Sequence, residues 1–172
     1  PAVVDLSAAE IELAEVESRE FRLRNALQQV ASDYDYIFID CPPSLGRLTV
    51  NALCAADCVV VPLQCEFYAL EGLSQLMRTI NMVQQGLNKD LLIQGIVLTM
   101  YDSRNKLSEM VANDVRSHFG KLVYTTVIPR NVRISEAPSF GQPVLIYDLK
   151  CAGAQAYVAL AAELLSQEKE AA

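Results

Sequence analysis

The sequence lacks several features that would each point to a class of protein. Its longest apolar run, residues 58–63, is strand-sized, whereas a membrane-spanning helix needs roughly 18 to 20 apolar residues. The first residues carry no basic stretch of the kind that opens a secretory signal peptide. The five cysteines form no CxxC pair, which predicts reduced thiols, most of them buried as small apolar side chains. We therefore expect neither a membrane protein nor a secreted disulfide scaffold.

Histidine is nearly absent, since His118 is the only one. Nucleophile triads and most zinc sites use histidine, so this sequence offers little for either kind of site. His118 lies near the end of a predicted helix, where a structural role is favoured over catalysis.

Positive charge is also scarce overall, because the net charge is −7. This argues against a generally basic nucleic-acid binder. Residues 100–150 nevertheless hold seven Lys or Arg against five acids, which makes that segment +2 and the remainder −9. A local basic face is compatible with these numbers, and so is ordinary scatter of surface charge.

Strand-like and helical patterns alternate along the chain. The strand patterns are apolar on both faces, which is typical of a parallel sheet with helices on both of its faces, an α/β fold. We predict strands at 36–39, 58–63, 91–100 and 122–128, and helices at 18–33, 45–56, 68–85, 108–119 and 152–167. In such sheets ligands bind beyond the carboxyl ends of the strands. Residues that follow these ends, at 40, 64, 100–102 and 129–131, should therefore gather at one edge.

The most informative single residue is Asp40, which follows four apolar residues of a predicted strand. A carboxylate there is costly to bury without a partner. It fits an acid that orients the water shell of Mg²⁺ beside a phosphate. It also fits an acid that forms the turn after the strand.

Four runs of residues carry a resemblance to a known family: DYIFIDCPPSLG at 35–46, VPLQCEFYALEGL at 61–73, GIVLTMYDSR at 95–104 and IPRNVRISEAPS at 128–139. The sequence resembles the ParA/Soj chromosome-partitioning ATPases, which belong with MinD to the deviant Walker-A P-loop NTPases. The likeness extends over nearly the whole chain, including residues 8–13 and 51–57.

The resemblance implies roles for particular residues. Asp40 matches the Walker B acid that holds Mg²⁺ through water, and Pro42 and Pro43 match the stiff catalytic loop beneath the γ-phosphate. The adenine-side segments of the family correspond to Thr99, Met100, Pro129, Arg130 and Asn131. For residues 129–131, the residue pattern taken without the resemblance favours a plain turn.

The sequence departs from the family in one respect. Relatives bind phosphates with a glycine-rich loop that contains two lysines, and these 172 residues hold no such loop. Gly120 and Lys121 lack the remaining residues of that motif and lie at a predicted helix end. We expect one domain over residues 1–172 that lacks the N-terminal phosphate-binding region of the family, with a core at 18–150 and a C-terminal helix at 151–172.

Two functions follow as expectations. The first is a partition ATPase that uses ATP and Mg²⁺ and forms an ATP-dependent homodimer, with Gln64 and Glu66 near the dimer face. A ParB-type partner protein stimulates its hydrolysis of ATP. By the resemblance, such a protein is cytoplasmic and associates with the nucleoid through non-specific DNA binding. Arg104 matches one DNA contact of the family, and Lys106 and Arg133 are candidate neighbours; an ordinary solvated charge is the alternative for Arg104. The second is a non-catalytic interaction module of the same fold that no longer binds nucleotide. A MinD-like membrane role is disfavoured because the C-terminal tail is acidic.

Overall fold

The structure is a computed structural model that describes residues 12–13, 17–42, 44 and 46–171. These residues form two compact units. One comprises the described residues up to Val59 together with Ser74–Ile93, and the other comprises Val60–Leu73 together with the described residues from Gln94 onward.

Helices and strands alternate from residue 47 to residue 129, as predicted, and three α-helices follow. The α-helices are α1 (Arg22–Leu27), α2 (Arg47–Ala55), α3 (Ala69–Gly86), α4 (Lys106–Phe119), α5 (Val132–Glu136), α6 (Val144–Tyr147) and α7 (Ala152–Ala171). The strands are β1 (Cys58–Gln64), β2 (Leu92–Tyr101) and β3 (Val123–Pro129), with short 3₁₀ turns at Arg19–Phe21, Ala31–Asp33, Gly120–Leu122 and Ala137–Phe140. Within the described residues, no helix combines the length and the apolar character needed to cross a membrane.

The three strands form one parallel sheet in the order β1-β2-β3, which confirms the α/β prediction. Between β2 and β3, Ile96 faces Val123 and Leu98 faces Val127. Two steps along β2 therefore correspond to four steps along β3, so β3 bulges between these pairs. Farther along, Tyr101 faces Pro129, which aligns the carboxyl ends of the two strands.

The bulge in β3 has its own hydrogen-bonding partners. Glu163 of α7 accepts the backbone N–H groups of Thr125 at 2.6 Å and Thr126 at 2.9 Å. Arg116 of α4 approaches the carbonyl oxygens of Tyr124 and Thr125 at 3.4 Å. Polar backbone groups that leave a ladder need such replacements, because an unpaired one is costly to bury.

Each unit has its own apolar core. In the first unit the core comprises the buried residues Leu53, Cys54, Ile80, Val83 and Leu91. In the second unit Val97, Tyr124 and Ile128 pack with one face of α7, formed by Ala156, Leu160 and Leu164. The four-residue spacing of these α7 positions places them on a single stripe of the helix.

Asn88 ties together the backbone around the first core. Its side-chain amide donates to the carbonyl oxygens of Leu53 at 2.9 Å and Ala56 at 2.8 Å. These carbonyls lie at the end of α2, where a helix leaves its last C=O groups without helical partners. Asn88 thereby caps α2 from a distant part of the chain.

One predicted strand is wrong. Residues 36–40 form no strand, and Phe38 is 86% exposed, Tyr36 50% and Ile37 41%. The apolar and β-branched residues favour an extended backbone. A strand is nevertheless held by hydrogen bonds to a neighbouring strand, and no strand of the described part pairs with this segment.

Two further expectations need correction. Cys54 and Cys65 are buried as predicted, but Cys41 and Cys58 are exposed. The short helices α5 and α6 were not predicted from the sequence, because their four or five residues are too few to show a helical period. The single-domain organisation stays a prediction.

Candidate functional site

The carboxyl ends of the strands bring the predicted adenine-side residues of the second unit together. Beyond the ladder, the backbone N–H of Arg130 donates to the carbonyl oxygen of Tyr101 at 2.9 Å, and that of Cys65 donates to Thr99 at 3.1 Å. Segments 99–102 and 129–131 thus lie side by side, with the end of β1 joined to them. We call these two segments the strand-end rim. Within it Thr99, Pro129 and Asn131 are half-buried, whereas Met100 and Arg130 are exposed.

Met100 has an unusual backbone. Its φ is +53°, and among the described non-glycine residues only Ser18 shares a positive φ. This left-handed conformation costs a side-chain-bearing residue on the order of 1–2 kcal/mol. Such strain tends to occur where a site requires it. The positive φ of Met100 is a property of the folded backbone, so it could not be predicted from the sequence.

Asn131 combines the predicted role with a structural one. Its Oδ1 accepts the backbone N–H of Arg133 at 2.9 Å and so caps α5. The start of α7 lies close to this cap, since a Cβ added at Gly153 would lie 3.3 Å from the Asn131 Cβ and 2.5 Å from the Ile134 Cδ1. The cap confirms that the chain turns here, and it leaves the amide group of Asn131 able to donate elsewhere.

Asp40 and Pro42 lie in the first unit, and both are exposed. The Asp40 carboxylate is open to water, which avoids the cost of burying it without a partner. Pro43 lies outside the described residues. The roles assigned to all three stay predictions.

The donor set around Asp40 bears on its predicted metal. No group of three or more His, Cys, Asp or Glu side chains suited to a metal ion occurs among the described residues. Mg²⁺ keeps several waters and takes only one or two carboxylates from a protein. One open carboxylate therefore fits a water-mediated contact to Mg²⁺, and it does not fit a closed protein cage.

The loop after β1 carries the residues predicted near a dimer face. Gln64 and Glu66 are exposed, and the next two residues, Phe67 and Tyr68, are each 73% exposed. Their rings meet edge to face with centroids 5.1 Å apart. Exposed aromatic residues next to polar ones are common at protein interfaces.

The three residues predicted to contact DNA lie in the second unit, and two of them are paired with carboxylates. Arg104 Nη2 lies 2.8 Å from Asp102, and Arg133 Nη1 lies 2.9 Å from Glu136. Lys106 begins α4, is exposed and has no ion pair within the described residues. Sequence reasoning named all three cations and missed the carboxylates that hold two of them.

The Asp102 carboxylate is the most strongly perturbed group near the rim. Hydrogen bonds from the side chain and the backbone of Arg104 lower its pKa to about 2, and the nearby Arg130 adds to the effect. Asp102 therefore stays ionised at any physiological pH. The Asp-x-Arg spacing, in which an Asp accepts the backbone N–H two residues on, could have indicated this turn.

His118 lies where the sequence placed it, near the end of α4. It is exposed, and its Nδ1 lies 2.7 Å from the carbonyl oxygen of Asp114. This contact is local to the helix end, which agrees with a structural role.

Comparison with known proteins gives the family. The model of the AAA domain family matches residues 1–93. The chain is 64% identical over 172 residues to the chromosome partitioning protein ParA of Caulobacter vibrioides, covering 99% of this chain and 64% of that protein. It is 57% identical over 164 residues to the sporulation initiation inhibitor protein Soj of Bacillus subtilis, covering 95% and 65%. The chain belongs to the ParA/Soj family.

Solved structures agree with the fold of this ParA/Soj chain. Cobyrinic acid a,c-diamide synthase from Mycobacterium smegmatis is 41% identical with a TM-score of 0.82, covering 100% of this chain and 63% of that one. A structure of that synthase with bound ADP and magnesium is 47% identical with a TM-score of 0.70, covering 77% of this chain and 54% of that one. Compared with the first curated relatives it matches, the ParA/Soj chain spans about 64% of their length.

Proposed function

We propose that this ParA/Soj chain forms the magnesium, base and DNA contacts of a partition ATPase, which hydrolyses ATP in a cycle of dimerisation and non-specific DNA binding. The observation that carries the proposal is the strand-end rim. Two segments that match the adenine side of the family are hydrogen-bonded neighbours at the end of a parallel sheet. Ligands of open α/β sheets bind at that end.

The rim suits a nucleotide base. Backbone groups of residues 99–101 and 129–130 can meet the polar edge of a base, while the exposed side chains of Met100 and Arg130 can cover its face. The left-handed backbone of Met100 turns the chain at this point. We assign adenine to this rim together with Thr99, Pro129 and Asn131.

The magnesium assignment concerns Asp40. Bound Mg²⁺ neutralises charge on the β- and γ-phosphates of ATP. Asp40 would hold one of the ion's waters through its carboxylate, and the prolines Pro42 and Pro43 would limit the motion of the backbone that follows it. The synthase from Mycobacterium smegmatis, solved with ADP and magnesium, supports this combination of ligands.

DNA binding and partner recognition complete the proposed cycle. Arg104, Lys106 and Arg133 would contact backbone phosphates, which gives non-specific and salt-dependent binding to the nucleoid. The exposed Phe67 and Tyr68 beside Gln64 and Glu66 support a homodimer face there. We further assign a ParB-type protein as the partner that stimulates hydrolysis.

ATP hydrolysis tests the metal assignment. The protein encoded by the whole reading frame that contains this sequence is compared with its Asp40→Asn variant, which keeps the shape of the side chain and removes its charge. Mg²⁺-dependent phosphate release should fall about 100-fold or more, as when one well-placed electrostatic group is removed from an active site. Asp90→Asn, an exposed acid in the same unit, should leave turnover unchanged.

Two outcomes would contradict the proposal. Full turnover in Asp40→Asn would remove Asp40 from the metal site. A wild-type protein that shows no ATP binding by calorimetry with Mg²⁺ present would favour the interaction module that retains the fold without the nucleotide.

A further inference from the structure

The guanidinium of Arg104 is held on one edge by a single carboxylate. Nε donates to Oδ1 of Asp102 at 3.0 Å and Nη2 donates to Oδ2 at 2.8 Å, while the backbone N–H of Arg104 also donates to Oδ1 at 3.0 Å. The arginine side chain is 88% exposed. A two-point contact of this geometry is the one that a phosphate also makes with arginine.

We propose that Asp102 competes with DNA phosphate for Arg104 and thereby sets how tightly, and with what salt dependence, this protein binds DNA. The inference rests on the proposed function, in which Arg104 is a DNA contact. The carboxylate cancels the charge of the arginine at hydrogen-bond distance, so the DNA backbone meets a neutral pair and not a lone cation. An exposed pair of this kind is weak enough for a polyanion to open.

Arg133 shows the same arrangement in a second place. Its Nη1 donates to Glu136 at 2.9 Å and its Nε lies 3.5 Å from Asp148, while Glu136 also accepts the hydroxyl of Tyr147 at 3.3 Å. These contacts link α5 to α6 and the residues after it, so substituting the acids there would disturb local packing. Asp102, whose side chain is 22% exposed, forms its one ion pair within the described residues with Arg104 and is the cleaner position for a test.

Asp102→Asn provides that test, because asparagine keeps the oxygen that accepts the backbone N–H of Arg104 and loses the charge. Binding to a fluorescein-labelled duplex of arbitrary sequence is measured by anisotropy over a series of salt concentrations, with ATP and Mg²⁺ present. We expect the variant to bind about 3-fold tighter or more at low salt, and its log–log salt slope to steepen by up to about 1.

The control is Asp114→Asn, which makes the same change in net charge at an exposed position of α4. No ion pair involves Asp114 in the described part of the chain. This variant should change affinity far less than Asp102→Asn does. An equal gain in the two variants would attribute the effect to net charge and overturn the inference.

Arg104→Gln, made alone and together with Asp102→Asn, separates the inference from the proposed function. If Arg104→Gln binds the duplex as well as wild type, the proposed DNA contact itself is wrong. If Arg104→Gln weakens binding but Asp102→Asn fails to strengthen it, only the competition is wrong. Weaker binding by Asp102→Asn would make Asp102 a positioning residue, which also overturns the inference. If the inference holds, the gain from Asp102→Asn disappears in the double variant.

Discussion

Glu163 gives the most direct test of how the sheet is held together. Its carboxylate accepts the two adjacent backbone N–H groups, those of Thr125 and Thr126, that the bulge of β3 takes out of the ladder. Glu163→Gln keeps the size of the side chain and leaves only one acceptor oxygen. The other end of the amide then turns an NH₂ group toward a backbone N–H, so one donor loses its partner.

The expected cost follows from these two contacts. A hydrogen bond to a charged group contributes about 1.5 to 3 kcal/mol net. Glu163 is half-buried, so water can replace part of the lost contact. We therefore expect Glu163→Gln to lower the free energy of unfolding at neutral pH by about 1 to 2 kcal/mol.

The pH dependence supplies a second, independent readout. Burial acts to raise the pKa of Glu163, but the hydrogen bonds from Thr125 and Thr126 outweigh it, so the pKa lies below the ordinary 4.5. A carboxyl whose pKa is lower in the folded state stabilises the fold above its unfolded pKa, and this contribution is lost as pH falls through the folded value. The difference between wild type and Glu163→Gln should therefore be full above about pH 4.5 and shrink under more acidic conditions.

Urea unfolding followed by circular dichroism measures both effects. Glu109→Gln serves as the control, because Glu109 is exposed at the first turn of α4 and should cost no more than about 0.5 kcal/mol. An unchanged unfolding midpoint in Glu163→Gln at neutral pH would refute the role of the carboxylate. If the free energy of unfolding of Glu163→Gln were as far below that of wild type in acid as at neutral pH, the destabilisation would come from packing and not from the charge of the carboxylate.

Three further changes test other parts of the fold. Gly95→Ala should destabilise the protein by about 1 to 3 kcal/mol in thermal unfolding, because the new Cβ would lie 2.5 Å from a ring carbon of Tyr124. Gly72→Ala is the control, since a Cβ there would have nothing within 4 Å, and it should be neutral or stabilising in the same measurement. Asn88→Ala should lower the free energy of unfolding in urea by about 1 to 3 kcal/mol, because it removes the donor to the carbonyl oxygens of Leu53 and Ala56. Asn81 is exposed, so an equal loss of stability in Asn81→Ala would argue against this reason. The exposed apolar segment at residues 36–38 predicts that this 172-residue chain self-associates. Phe38→Lys should reduce that association in sedimentation velocity, because Phe38 is 86% exposed; a wild-type chain that is monomeric at every concentration would contradict the expectation.

The alternation of strands and helices was predictable from α2 to β3, because the longer elements there have both a hydrophobic period and a clear stop. Gly120 ends α4 with a φ of +53°, and Pro129 is the last residue of β3. Gathering of the rim was also predictable, since parallel strands place their carboxyl ends on one side of a sheet. The register was not predictable, because the extra residues in β3 depend on Glu163 and Arg116, which lie on two different helices.

The positions of the predicted cations could be named from the sequence, but the carboxylates that pair with them could not. Arg104 was named through its family position and Arg133 as a neighbouring cation, whereas the pairing of each with a nearby carboxylate depends on a turn and on the packing of short helices. Net charge counts treat such cations as free. In the structure each of these two cations lies within hydrogen-bond distance of a carboxylate, which reduces the positive charge of this surface.

The segment at residues 36–39 shows where local pattern and tertiary structure disagree. Its side chains suit a buried strand, yet Tyr36, Ile37 and Phe38 are exposed. Burying a large apolar side chain gains about 1.5 to 3 kcal/mol, so the segment forgoes a sizeable contribution to stability. Such conflicts are expected at functional regions, and here the segment leads directly into Asp40. The carboxylate proposed to hold Mg²⁺ thus follows directly on apolar side chains that are open to water.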